Sequence, residues 1–150
     1  MATVELIISA LPAHVRTARL VATAVARRIG LAGSTLDEVR LAVGEACSRA
    51  VEAHRAHCPG EPVRLELSDH AGRFEVVVAD NAPGGQEALQ RQVPTQVGES
   101  ALPDVLAPDV GLAVIAGLAD DVDFDATPSG MRVRMSWPAV PATQTSGNPA

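Results

Sequence analysis

Two apolar stripes with helical spacing lie back to back in the first third of the chain, and every strand-like run but the first comes after them. From Pro12 to Ile29, the residues Val15, Ala18, Ala22, Val25 and Ile29 recur at three- and four-residue intervals, one face of a helix. Gly30 follows where a C-terminal cap is expected. A second helix begins in GSTLDE, where Ser34 and Thr35 offer N-caps and Asp37 and Glu38 complete a capping box. Its buried stripe is Leu36, Val39, Val43, Ala46 and Ala50, and HCPGEP (57–62) stops it. Two consecutive helices that must each bury a face argue against the regular βαβ alternation of a Rossmann-type sheet.

The strand-like runs complete the frame. TVELIIS (3–9) is β-prone and ends at Leu11-Pro12. Val63, Leu65 and Leu67 alternate with Arg64, Glu66 and Ser68, DHAG (69–72) reads as a turn, and RFEVVVAD (73–80) ends on an acid. GLAVIAGLAD (111–120) is a short apolar helix, and DVDFDA and MRVRMSW form a closing hairpin around TPSG (127–130). Between them, residues 81–110 are rich in Pro, Gly and Gln without a sustained period, so a long functional loop is expected. The order predicts an α+β two-layer sandwich: one mostly antiparallel sheet with helices on one face and a long lid loop. Residues 1–137 form one domain, and 138–150 have the composition of a disordered tail.

Composition narrows the chemistry. The net charge is −6 with no basic cluster, which disfavours direct nucleic-acid binding. Every basic residue is Arg, and the absence of Lys excludes a Schiff-base lysine, a Walker A lysine and the strand lysine of eukaryotic-type kinases. Phe74, Phe124 and Trp137 are the only aromatics, too few for a stacking platform. There is no apolar run of about 18 residues to span a membrane and no basic leader in MATVELIIS, so a cytoplasmic protein is expected. Cys47 and Cys58 match neither zinc spacing nor a disulfide framework and read as reduced thiols; no metal ligands are assigned.

Three stretches could carry chemistry. GEACSRAVEAH (44–54) puts Glu45 and Arg49 four residues apart on one helix. That is either a solvated pair worth roughly 0.2–0.5 kcal/mol or the remnant of a catalytic site. ADNAPGG (79–85) ends a strand in Asp80 before a Pro-Gly-Gly loop, and DVGLAVI (109–115) opens a helix on a glycine, where backbone N–H groups can receive phosphate.

In this order and spacing, together with SGMRVRMSW, these stretches resemble the anti-sigma-factor serine kinases of the RsbW/SpoIIAB type, within the GHKL ATPase superfamily of gyrases and histidine kinases. The resemblance covers roughly residues 3–137, and the EAC-S-x-A-V-E-A-H segment is its most specific part. It implies a Bergerat-type fold, ATP with Mg²⁺ as cofactors, a homodimer, and two partners: an alternative sigma factor and a STAS-type anti-anti-sigma protein. Glu45 falls at the general base that activates a serine hydroxyl, and Arg49 at the asparagine that ligates Mg²⁺. Asp80 falls at the acid that hydrogen-bonds the adenine amino group, Gly84 in the adenine-side loop, and Gly111 and Leu112 at the end of a G-x-G-L phosphate box. Residues 81–110 match the ATP lid. On the first helix Arg19, with Arg16 beside it, falls on the partner-binding surface.

Four positions depart from the family pattern. Arg49 has donors only and cannot ligate a metal that needs oxygen ligands. Ala82 places a Cβ where D-x-G-x-G has its first glycine, a position that could need positive φ. Asp109 brings an acid to the phosphate box, and Met131 replaces a threonine whose hydroxyl supports adenine recognition. The departures favour an anti-sigma factor with a degenerate ATP site, at which ATP binds weakly or not at all and Mg²⁺ is in doubt. The alternatives are an active ATP- and Mg²⁺-dependent serine kinase that phosphorylates its antagonist, and a GHKL-like domain serving another signalling assembly or a nucleotide-free scaffold.

Overall fold

The computed structural model describes residues 3–92 and 110–139. In chain order the elements are β1 (Thr3–Ile8), α1 (Pro12–Ile29), α2 (Ser34–His57), β2 (Val63–His70), β3 (Arg73–Asp80), α3 (Gly85–Gln92), α4 (Val110–Leu118), β4 (Asp121–Thr127) and β5 (Gly130–Pro138). The strands form one sheet in the order β1-β2-β3-β5-β4, with every neighbouring pair antiparallel. The expected α+β two-layer architecture is the one observed.

Register explains why one sheet face is apolar. Leu6, Leu65, Val78, Val133 and Phe124 are successive partners across all five strands, and together they face the helices. One residue along, Glu5, Glu66, Val77, Arg134 and Asp123 form the next row, on the opposite face. A one-residue slip in any strand would exchange these rows, so burial specifies the pairing. Asp80 shares the helix-facing parity of Phe74, Val76 and Val78, so the pleat carries an acid into the apolar layer at the strand's end.

The helices cover that face. On α1, Val15, Ala18, Ala22, Thr23 and Ala26 are buried, while Val25 and Ile29 pack at its margin. Gly30 closes α1 at φ 118°, and its N–H donates to the carbonyls of Ala26 and Arg27. On α2 the stripe is Val39, Ala42, Val43, Ala46, Cys47, Ala50, Val51 and His54. Small residues dominate both stripes, which lets α1 and α2 lie close together. At the far end, Phe74 stacks on Trp137 with ring centroids 6.2 Å apart. The Trp137 indole N–H donates to the Leu118 carbonyl, tying α4 to β5. No helix among the described residues is long and apolar enough to cross a membrane.

Four details differ from the sequence expectation. The expected loop 81–110 contains α3, whose first turn packs on the β4–β5 hairpin; residues 93–109 lie outside the described residues. At the start of α2 the cap position is Gly33, and neither Ser34 nor Thr35 makes a capping hydrogen bond, because the helix already begins at Ser34. The domain end expected at residue 137 falls short: β5 runs to Pro138, and buried Ala139 donates its N–H to Gly72 at 2.8 Å. Pro138 and Ala139, assigned to the tail, thus belong to the folded part, and 140–150 lie outside the described residues.

The fourth difference is the β2–β3 turn, which shrinks from DHAG to Ala71 and Gly72 alone, at φ 53° and 77°. A two-residue hairpin with positive φ at both positions matches the right-handed strand twist but penalises a Cβ at the first. Ala71→Asn is therefore expected to raise stability by about 0.5–1 kcal/mol. The check is a chemical-denaturation midpoint; an unchanged or lower midpoint would show that Ala71 is not strained.

Candidate functional site

The long second helix organises the site. Glu45 and Arg49 sit one turn apart on α2, both half-buried beside its apolar stripe. They do not pair with each other. Arg49 reaches Asp80 at the end of β3, with Nη1 3.8 Å from Oδ2 and side-chain exposures of 16% and 5%. At that distance the contact is an ion pair rather than a hydrogen bond. Glu45 instead packs against the first turn of α4: a Cβ built on Gly111 would lie 2.7 Å from Glu45 Oε2. The Glu45–Arg49 pair expected from i,i+4 spacing gives way because Asp80 offers Arg49 a buried, less screened carboxylate.

Asp80 is held from several sides. Its Oδ1 accepts the Ala82 N–H at 3.0 Å. That local bond forms a turn without a left-handed residue: Ala82 is buried and its φ is not positive, contrary to the concern raised by its Cβ. Met131 is the register partner of Asp80 and is buried beneath Gly85, whose added Cβ would meet Met131 Sδ at 3.0 Å. Met131 thus places a thioether beside Asp80, where the resemblance implies a hydroxyl. Gly130 is required there, since any Cβ on it would collide with the Asp80 carbonyl. Gly84, at φ 96°, leads into α3, and its carbonyl accepts the Ala88 N–H.

The remaining candidates separate. Leu112 is fully buried in the core, so its side chain faces away from any ligand and only its backbone could serve a phosphate site. Arg16 is exposed on α1, whereas Arg19 is half-buried with its stem laid over Gly44 of α2, where a Cβ would lie 2.6 Å from its Cδ. Asp109 lies outside the described residues. Cys47 is buried, and burial pushes its thiol up to about 12. Cys58 lies beside the site, and burial together with the nearby carboxylates of Glu61 and Asp80 raises its thiol above the usual value.

Sequence reasoning missed His54, which is fully buried, and the Glu61–Asn81 contact at 3.0 Å. The signal for His54 was present. It continues the stripe four residues beyond Ala50, a polar side chain on an apolar face.

The donor set bears on cofactors. A guanidinium has no acceptor, so Arg49, which the resemblance puts at a metal-binding asparagine, cannot itself hold Mg²⁺. The metal does not fit there. A nucleobase remains compatible, because Asp80 Oδ2 keeps a lone pair for an exocyclic amine beside Arg49.

Comparison with known proteins identifies the family. The model of the histidine kinase-like ATPase domain matches residues 8–137. The chain belongs to that family. Within it the chain is of the RsbW type: it is 31% identical over 137 residues to the serine-protein kinase RsbW of Bacillus pumilus, covering 89% of this chain and 83% of that protein. The RsbW of Halalkalibacterium halodurans is 25% identical over 123 residues, covering 81% and 75% of the two chains. The crystal structure of the RsbU and RsbW domains of a Mycobacterium tuberculosis protein superposes with a TM-score of 0.66 at 17% identity, covering 97% of this chain and 35% of that one. This last likeness concerns the fold.

Two measurements check the site. A double-mutant cycle of Arg49→Met with Asp80→Asn is expected to give a coupling of about 0.5–2 kcal/mol in unfolding free energy, and the cycle of Glu45→Gln with Arg49→Met a coupling near zero. The reverse order would place Arg49 on Glu45. Glu61→Gln removes one of the charges that raise the Cys58 thiol, so its alkylation at pH 8 should accelerate, with Cys47 reacting only on unfolding. An unchanged Cys58 rate would exclude electrostatic contact with Glu61.

Proposed function

We propose that the protein is an anti-sigma factor that sequesters an alternative sigma factor, is released by a STAS-type anti-anti-sigma protein, and keeps a degenerate ATP site. The observation that carries the degenerate half of this proposal is Arg49, a donor-only side chain at the would-be metal position and paired with Asp80 at 3.8 Å. Phosphoryl transfer rests on Mg²⁺ and positioned cations that neutralise charge in the transition state. Arg49 supplies one cation but excludes the metal from its family ligand position. ATP, if taken, would bind weakly through Asp80, Gly84 and the backbone near Gly111.

The protein-binding half rests on family membership and on the α1–α2 surface. Exposed Arg16, Arg19 laid across Gly44, and Leu20 at 62% exposure form a mixed basic and apolar surface there. The two partners would compete for it. A homodimer in the cytoplasm goes with this proposal.

The alternative, an active ATP- and Mg²⁺-dependent kinase of the anti-anti-sigma protein, is favoured by one feature. Glu45 is not neutralised by Arg49 and stands at the first turn of α4, where a general base would be needed.

Isothermal titration with ATP, with and without Mg²⁺, separates the two. Weak or absent binding that does not change with metal is expected; metal-dependent micromolar binding would overturn the degenerate site. Arg49→Asn should create or raise kinase activity toward a serine-bearing antagonist if that substitution disabled the site. Arg19→Ala should weaken sigma-factor binding by at least about tenfold, in line with loss of an interface arginine. Unchanged affinity would displace the proposed surface.

A further inference from the structure

Behind Asp80 lies a group of polar side chains that the nucleotide motifs do not explain. His54 is fully buried on α2, and both its ring nitrogens are engaged by backbone. Nδ1 lies 2.8 Å from the Glu61 carbonyl, and the Asn81 N–H points to Nε2 at 2.9 Å. A carbonyl only accepts and an amide N–H only donates. The hydrogen bonds therefore require the tautomer with the proton on Nδ1 and a free lone pair on Nε2. Asn81 is gripped again through its side chain, whose amide donates to Glu61 Oε1 at 3.0 Å, while the Cys58 thiol lies 3.9 Å from the Asn81 carbonyl. The next amide along, Ala82 N–H, is the one bound by Asp80 Oδ1.

Two consecutive backbone amides are thus fixed, one by His54 and one by Asp80. Because the Asp80 carboxylate takes its orientation from the turn it caps, anything that anchors Asn81 also anchors Asp80. We infer that His54 is a positioning residue: by accepting the Asn81 N–H and donating to Glu61, it fixes the turn that aims Asp80 at Arg49 and at a bound nucleobase. The last step rests on the proposal that Asp80 reads a base. The clasp itself does not. Its position five residues beyond Arg49 gives α2 two jobs on two faces, with Arg49 engaging the carboxylate in front and His54 holding the backbone behind.

The test compares three replacements of different reach. Gln keeps an acceptor near the position of Nε2, Asn keeps a donor near Nδ1, and Leu keeps volume alone. Amide hydrogen exchange of Asn81 and Ala82 should stay near wild type in His54→Gln and accelerate by about tenfold or more in His54→Asn and His54→Leu, the effect of losing one buried hydrogen bond. A space-filling role would instead make Gln and Asn equivalent, and equal exchange in those two variants would overturn the clasp. Nitrogen-detected NMR of the wild-type ring gives a check that needs no variant: a proton on Nδ1 is expected, and a proton on Nε2 would overturn the proposal even if His54→Leu failed to fold.

ATP titration of the wild type and variants separates the two levels. If wild-type protein binds ATP, His54→Asn should weaken it by about tenfold relative to His54→Gln. Equal affinities would overturn the role of His54 in base binding. No ATP binding by the wild type would overturn this base-binding role and leave the degenerate-site proposal standing, while the exchange order would still decide whether His54 fixes the turn.

Discussion

One helix carries both the core and the site, and the rest of the structure is arranged around that constraint. α2 packs on α1, on α4 and on the strands β2, β3 and β5. Its buried residues from Val39 to His54 form the centre of the apolar layer, while Glu45 and Arg49 lie along its flank. A helix fixed this firmly cannot rotate to suit a ligand. The directions in which Glu45 and Arg49 project are therefore consequences of core packing, and ligand chemistry must adapt to them.

That rigidity gives the Arg49–Asp80 contact its weight. Asp80 enters the helix-facing layer by strand parity, and a buried carboxylate needs a partner. Its two oxygens are served differently: Oδ1 by the Ala82 N–H and Oδ2 by the Arg49 guanidinium. In a site built around a metal, a side-chain oxygen on α2 would leave Asp80 for the base and the metal for the phosphates. Here an arginine stands on α2 and turns to the buried acid at the end of β3. Met131, buried under Gly85, fills the same corner from β5. The Asp80 side of the site is thus well packed, whereas Glu45 on the other side faces the first turn of α4.

Much of this is legible in the sequence. The apolar periods of α1 and α2, the alternation of Val63, Leu65 and Leu67, and the glycine cap at Gly30 identify those elements directly, because each follows from local backbone geometry. The missing βαβ alternation pointed to an antiparallel sheet with helices on one face, as observed. Local signals were weaker at element ends and in short elements. Ser34 and Thr35 have capping chemistry, yet the helix begins at Ser34 with Gly33 at its cap. α3 lacked a visible period because eight residues give too few turns to establish one. For Leu112, which order along the chain assigns to a phosphate box, packing adds that the side chain lies in the core.

The sequence by itself determined the fold class, the family and the chemistry that Glu45, Arg49 and Asp80 can offer, since these depend on periodicity, on motif order and on side-chain identity. The exclusion of Mg²⁺ from the position of Arg49 is of this kind: a guanidinium lacks acceptors in any conformation. Only the tertiary structure decided which groups meet. Glu45 and Arg49 are neighbours by helical spacing, but spacing sets only which partners are within reach. Burial decides among them, because a carboxylate withdrawn from water, as Asp80 is, attracts a guanidinium more strongly than a better-solvated one nearby. The same holds for His54, one more position on a stripe in the sequence, which becomes a clasp only when β3 brings Asn81 against it.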